Sequence, residues 1–139
     1  MSLESKLYSD SLLDIYKNLV YRKAMESYTH FSSKKNQLCG DEITVYFTLL
    51  ENRIIDASFQ AEACMLCTVS GEILCRESIG KTFKELNEIS KNLKAYFSNR
   101  LELDLELSRF RALLTARPYL NRHRCVFLAW ETIEEVFHT

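Results

Sequence analysis

Cysteine and aspartate at four positions set the chemistry open to this chain: Cys39-Gly40-Asp41 in one stretch, Cys64 in a second, Cys125 in a third. The first stretch reads as a loop, Cys64 follows a predicted strand, and Cys125 opens the last predicted helix. Each stands where an element begins or ends, so the side chains can converge although they are far apart in sequence. Three thiolates and one carboxylate suit a four-coordinate thiophilic metal, and a thiol at such a site can also carry sulfur. Gly40 lets the backbone turn tightly, so that its two neighbours face one point. A helix N-terminus offers free N–H groups and the positive end of the dipole, which favours thiolate at Cys64 and Cys125. Arg124, beside Cys125, adds positive potential against so many anionic ligands. A competing reading is equally physical: free cysteine is often a small buried hydrophobe. No paired CxxC of zinc-finger spacing is present, so spacing alone leaves both readings open.

The elements that must position these residues follow from periodicity. Leu7, Leu12, Ile15, Tyr16 and Leu19 recur at near-helical spacing and predict a helix over Ser5 to Lys17. Ser27 to Ser32 is aromatic and β-branched enough for an edge strand, and Ser33 to Leu38 reads as a polar loop. Ile43 to Leu49 and Arg53 to Gln60 are the arms of a hairpin turned at Glu51-Asn52. From Cys64 to Ser78 the apolar residues Leu66, Val69, Ile73 and Leu74 mark a helical face. Gly80 punctuates. Thr82, with Glu85 three residues on, is a capping box for a helix to about Asn99. Leu103, Leu107, Phe110 and Leu114 mark another helix, broken at Arg117-Pro118. Val126, Ala129, Trp130, Ile133, Val136 and Phe137 form the stripe of the last one. Strands come first and helices after, which predicts an α+β fold: a small antiparallel sheet of about three strands packed on one side by helices.

A length of 139 residues predicts a single domain spanning 1–139, and 47% hydrophobic with 27% charged residues is ordinary for a globular protein. A formal charge of −1 gives no electrostatic case for nucleic acid or an anionic membrane. No apolar run reaches the roughly 20 residues that span a bilayer. The start, Met1-Ser2-Leu3-Glu4-Ser5-Lys6, lacks the apolar core of a signal peptide, which makes the cytoplasm the expected compartment. Five cysteines in a reducing compartment point to metal or reactive thiol before disulfides.

Cys39-Gly40-Asp41, then Ala61-Glu62-Ala63-Cys64, then Arg124-Cys125-Val126-Phe127-Leu128-Ala129-Trp130 resemble the SufU/IscU/NifU N-terminal family of iron–sulfur cluster assembly proteins. Asp14-Ile15-Tyr16-Lys17-Asn18 looks like the end of that family's N-terminal helix. The resemblance is closer to the SufU branch: Cys64 and Cys125 stand 61 positions apart, Arg124 occupies the place of the IscU-branch histidine, and the Leu-Pro-Pro-Val-Lys chaperone motif is missing. It implies a zinc site with Cys39, Asp41, Cys64 and Cys125 as ligands. It also implies that Cys39 accepts persulfide sulfur from a PLP-dependent, SufS-like cysteine desulfurase, because a loop thiol can swing out. This is an accessory sulfurtransferase-like role rather than that of a stand-alone enzyme. The alternative it implies is a scaffold on which a [2Fe–2S] cluster is built and passed to iron–sulfur acceptor proteins, with the chain a monomer or weak homo-oligomer. The chain departs from the family where glycines are usual, at Ala61 and Ala63, and where Met65-Leu66-Cys67-Thr68-Val69-Ser70 is bulkier than the usual Ser/Ala-rich stretch. The prolines often found near Asn18 and before the first cysteine are also absent.

The remaining features have plainer readings. Cys64-Met65-Leu66-Cys67 is a CxxC without a thioredoxin-like βαβ pattern, so Cys67 is expected to pack in the core, as is Cys75. Arg109, Arg111, Arg117, Arg122, His123 and Arg124, preceded by Glu102, Asp104 and Glu106, read first as a solvated face and second as a docking patch for the desulfurase. His123 is a possible alternative ligand. Trp130 falls on the core stripe.

Overall fold

The computed structural model describes residues 10–98 and 107–136. Its architecture is a three-stranded antiparallel sheet in the order β1-β2-β3, with β1 at His30–Lys35, β2 at Glu42–Leu50 and β3 at Arg53–Glu62. Along β2 the side chains alternate: Ile43, Val45 and Phe47 are fully buried, and Thr44, Tyr46 and Thr48 face outward. One face is thus apolar and one polar, the pattern of an antiparallel sheet covered on one side. The β2–β3 turn is Glu51-Asn52, both at positive φ (52° and 69°), as a two-residue turn matched to strand twist requires. Between Thr48 and Leu49 the register slips, so Ile55 is the extra residue of a bulge and is exposed.

The edge strand lies later than predicted. It starts at His30 rather than Ser27 and runs through Ser33-Lys34-Lys35, a stretch read from sequence as loop. Its register is set by β2, with His30 opposite Phe47 and Lys35 opposite Glu42. Backbone pairing needs no apolar side chain, and Ser33 meets Thr44 through a 2.6 Å hydroxyl contact on the outer face. Polar and lysine residues are also what an edge strand carries to discourage further pairing.

Five α-helices are present among the described residues: α1 (Asp10–Lys17), α2 (Met65–Ser78), α3 (Phe83–Phe97), α4 (Leu107–Leu114) and α5 (His123–Val136). Leu7 and the predicted start of α1, together with Leu103, Glu102, Asp104, Glu106 and Phe137, lie outside the described residues. The predicted capping box is present: the Glu85 N–H donates to Thr82 Oγ1 and the Thr82 N–H to Glu85 Oε1, each at 3.1 Å. α2 lies against β3, and α5 crosses β1 and β2 while packing along α2. All helices therefore serve one buried layer, and α2 is its axis: it is buried on nearly every side. Gly71 is where α2 meets the sheet. A Cβ there would sit 2.8 Å from Ile43 Cδ1 and 3.1 Å from Phe59 Cδ2, so glycine permits this approach and any larger residue requires the Ile43 or Phe59 side chain to shift.

Two polar contacts inside the core fix how the helices meet. The Trp130 indole N–H donates to Ser70 Oγ at 3.1 Å, and that hydroxyl donates to the Val126 carbonyl at 2.6 Å, joining α2 to α5. Buried Glu72 accepts the N–H groups of Val20 (3.0 Å) and Tyr21 (2.9 Å), one on each carboxylate oxygen. The chain after α1 is thereby pinned to the middle of α2, and Tyr21-Arg22 continues along β3, where the Phe59 N–H donates to the Tyr21 carbonyl at 2.9 Å. Cys75 is fully buried, as expected. No helix among the described residues is long and apolar enough to cross a membrane.

Candidate metal centre

Three element ends meet at one place. Asp41 immediately precedes β2. Cys64 is the N-cap of α2, two residues past the end of β3. Cys125 lies in the first turn of α5, which begins at His123 and not at Cys125 itself. A carboxylate oxygen of Asp41 and the sulfurs of Cys64 and Cys125 all lie within 4.8 Å of one another. Zinc bonds of about 2.0–2.3 Å place tetrahedral ligand atoms roughly 3.5–3.8 Å apart, so small side-chain rotations close this group on an ion.

Asp41 carries the sharper sign. It is buried, and its Oδ1 accepts the Cys64 N–H at 3.2 Å. Its Oδ2 is also buried and has no hydrogen-bond partner. An unpartnered buried carboxylate oxygen costs on the order of 1–3 kcal/mol. A cation among these donors removes that cost, so the donor set fits a zinc-like metal.

Cys39 is not with them. It is exposed, on the turn that joins β1 to β2. That turn is closed by Asn36: its N–H donates to the Asp41 carbonyl (2.7 Å), its carbonyl accepts the Gly40 N–H (2.8 Å), and its Oδ1 accepts the Leu38 N–H (3.0 Å). Gly40, at φ +78°, makes the reversal between Cys39 and Asp41. Of the four residues picked from sequence, the fold gathers Asp41, Cys64 and Cys125 and leaves Cys39 exposed on the adjoining turn.

The two gathered thiols titrate in opposite senses, against the expectation that both helix starts favour thiolate. Cys64 is pushed up, first by its hydrogen bond to Cys125 and then by burial. Cys125 is held down, first by that same hydrogen bond and then, against its burial, by Arg122. Within the coupled pair Cys64 keeps its proton more tightly and Cys125 gives its proton up more readily. The Cys67 N–H that reaches Cys64 Sγ at 3.5 Å favours the Cys64 thiolate but is outweighed.

The positive charge at the centre comes from Arg122, not Arg124. Arg124 is exposed and borders a groove of about 370 Å³ with Lys35, Asn36, Gln37, Leu128 and Glu131. Arg122 ends the 3-10 turn Leu120–Arg122 that precedes α5, which aims it at Cys125. Its spacing of three before the cysteine was the available signal. His123 is committed elsewhere: its Nε2 bonds the Arg117 carbonyl at 2.8 Å and its ring lies edge-on to Phe97 at 4.8 Å. The arginine run is dispersed too. Arg109 pairs with buried Glu77 at 3.1 Å, and Arg117 stacks over Tyr96 at 4.3 Å.

Ala61 and Ala63 close the approach to Cys64 without strain. Among the described residues, positive φ occurs at Glu51, Asn52, Gly40 and Gly80, and at neither alanine. Ala61 pairs with Ile43 in the sheet, and its carbonyl accepts from the Arg22 guanidinium at 2.9 Å. Arg22 also borders a groove of about 540 Å³ with Lys23, Glu42, Thr44, Gln60 and Glu62, a feature with no sequence signal.

Comparison with known proteins gives the chain's relatives. Residues 7–102 match the family described as the NifU-like N terminal domain. The chain is 25% identical over 129 residues to the iron–sulfur cluster assembly scaffold protein IscU of Thermotoga maritima, covering 93% of this chain and 91% of that one. It is 25% identical over 130 residues to the zinc-dependent sulfurtransferase SufU of Bacillus subtilis, covering 93% and 88%. Among solved structures, a candidate iron–sulfur cluster assembly scaffold protein for the SUF system from Fervidobacterium islandicum AW-1 superposes with a TM-score of 0.85 at 27% identity, over 94% of this chain and 96% of that one.

Proposed function

This chain belongs to the NifU-like N-terminal domain family, and we propose that it serves iron–sulfur cluster assembly as a zinc-bound sulfur acceptor for a PLP-dependent, SufS-like cysteine desulfurase. Asp41, Cys64 and Cys125 hold the metal, and Cys39 is the fourth ligand when its turn swings in. The observation that carries this reading is the contrast between three converging donors, two buried and one half-buried, and one exposed thiol on a turn that reverses at a glycine. Bound zinc supplies positive charge that keeps the thiols ionised in a small volume.

Sulfur transfer needs only Cys39. Its thiolate attacks the outer sulfur of the desulfurase persulfide, one S–S bond forms as another breaks, and the desulfurase cysteine leaves as thiolate. Cys39 then carries the sulfur on the turn, away from the buried pair. The nearness to the zinc-dependent sulfurtransferase of B. subtilis supports this assignment, as does Arg122 beside Cys125. The reading places the protein in the cytoplasm, as a monomer or weak homo-oligomer that hands sulfur towards iron–sulfur acceptor proteins.

A second reading draws on the T. maritima relative, which is named a scaffold: the same four residues then hold a [2Fe–2S] cluster that is built and passed on. Metal analysis separates the two. Protein purified without chelators is expected to be colourless with about one zinc per chain; brown protein with iron and sulfide would favour the scaffold. Cys39→Ala is expected to bind zinc more weakly and to abolish stimulation of a cognate desulfurase. Unchanged stimulation would remove Cys39 from the acceptor role.

A further inference from the structure

Cys64 belongs to a second pair of thiols. The sequence reading sets Cys64-Met65-Leu66-Cys67 aside for want of a thioredoxin-like βαβ pattern, and the described residues contain none; they do place the motif where a strand meets a helix: β3 runs into Cys64, Cys64 caps α2, and Cys67 lies in its first turn. The backbone of Cys64 is extended (φ −63°, ψ 163°), which folds its side chain back over that turn. Its Sγ accepts the Cys67 N–H at 3.5 Å, so the sulfur already rests over the backbone from which the Cys67 thiol branches. A cap and the third residue of its helix are separated by less than one turn of about 5.4 Å pitch. That lies within the Cα separation of about 4.4–6.8 Å that a disulfide spans.

Exposure assigns the order of events. Cys64 is half-buried and open to small solutes, while Cys67 is fully buried. We propose that Cys64 and Cys67 form a redox modification site, in which a peroxide joins them as a disulfide and thereby dismantles the metal centre reversibly. In the first step the peroxide O–O bond breaks, Cys64 gains the oxygen as a sulfenic acid, and water leaves. In the second the Cys67 sulfur displaces that oxygen, an S–S bond replaces the S–O bond, and a second water leaves. Two thiols lose two electrons in all, and one peroxide becomes two waters. The bridged Cys64 is no longer a thiolate, so only Asp41 and Cys125 of the gathered donors remain. Cys125, whose sulfur hydrogen-bonds Cys64 from α5, is the competing partner; Cys67 is favoured because it shares the helix start that Cys64 caps, at a backbone spacing that a disulfide spans. A dithiol reductant reverses the bridge.

The loss of metal rests on the proposed zinc site; the bridge itself does not. The test treats zinc-loaded protein with hydrogen peroxide, alkylates the remaining thiols and maps tryptic peptides. Cys64 and Cys67 fall in the peptide from Ile54 to Arg76, and Cys125 begins a different one after Arg124. The expected result is the first peptide lighter by two hydrogens, with fragmentation placing the bridge at Cys64–Cys67 and not at Cys75. Zinc release to a chromogenic chelator runs in step, and dithiothreitol restores zinc binding. In Cys67→Ser the bridge is lost and Cys64 proceeds to sulfinic acid, which dithiothreitol does not reverse. A cross-linked pair of peptides containing Cys125 overturns the proposal. So does a Cys67→Ser protein whose zinc release and recovery match the parent. Protein that takes up no zinc at all refutes the metal reading alone, and mapping of the same sample still decides the dithiol.

Discussion

The turn that carries Cys39 and the niche that holds Cys64 and Cys125 are built on opposite principles. The turn is closed by backbone and amide contacts of Asn36 and reverses at Gly40, with Cys39 and Leu38 both in solvent. The niche is made of two helix starts on a packed core, each fixed by what its helix buries: Gly71 against the sheet for α2, Trp130 and Ser70 between α2 and α5. Motion is therefore cheap at one thiol and costly at the other two. A centre that must hold an ion and also release a sulfur can divide those tasks between such regions, because the ordering cost of each is met separately.

The contrast is broken most strongly from the niche. Cys125→Ala removes a proposed ligand from a fixed helix and is expected to abolish metal binding and the stabilisation that comes with it. That stabilisation is about 2.7–4.1 kcal/mol at 100- to 1,000-fold metal excess over Kd, read as a lower Tm that added zinc no longer raises. Gly71→Ala leaves every donor in place but crowds the Ile43 and Phe59 side chains where α2 meets the sheet. Overpacking of this kind costs about 1–3 kcal/mol, and weaker zinc affinity should accompany it in a competition titration. An unchanged affinity would mean that the helix start does not depend on how α2 seats.

Smaller effects sharpen the contrast. In metal-free protein the Cys64–Cys125 pair should release its first proton below the ordinary thiol range and its second above it, since Cys125 gives its proton up more readily and Cys64 keeps its own more tightly. Arg122→Gln removes a charge that holds Cys125 down, so the first step should move up in pH, as followed by thiolate absorbance. Cys39→Ala should be nearly silent in metal-free stability, within about 0.5 kcal/mol for an exposed position. A large loss there would show that the turn is part of the core after all.

How much of this was written in the sequence depends on where each determinant lies. The β2–β3 hairpin was legible because alternation and the Glu51-Asn52 turn are local, and the Thr82–Glu85 box was legible for the same reason. Asp41, Cys64 and Cys125 could be grouped because each marks an element boundary. The extent of β1 was not legible, because Ser33 to Lys35 are a strand only by virtue of the β2 backbone beside them. Arg124 was chosen over Arg122 on adjacency, whereas direction is set by the short 3-10 turn ahead of α5. The opposed titration of the two thiols needed their mutual distance, which no spacing encodes.

One anchor reaches further than its own neighbourhood. Because both oxygens of Glu72 are occupied by the Val20 and Tyr21 amides, trimming the chain past Tyr21 would leave that buried carboxyl group without these partners. A deletion that looks peripheral on a map of the gene would then loosen the rod on which Cys64 is mounted, so shortened versions made for expression or crystallisation should keep everything from Val20 onward.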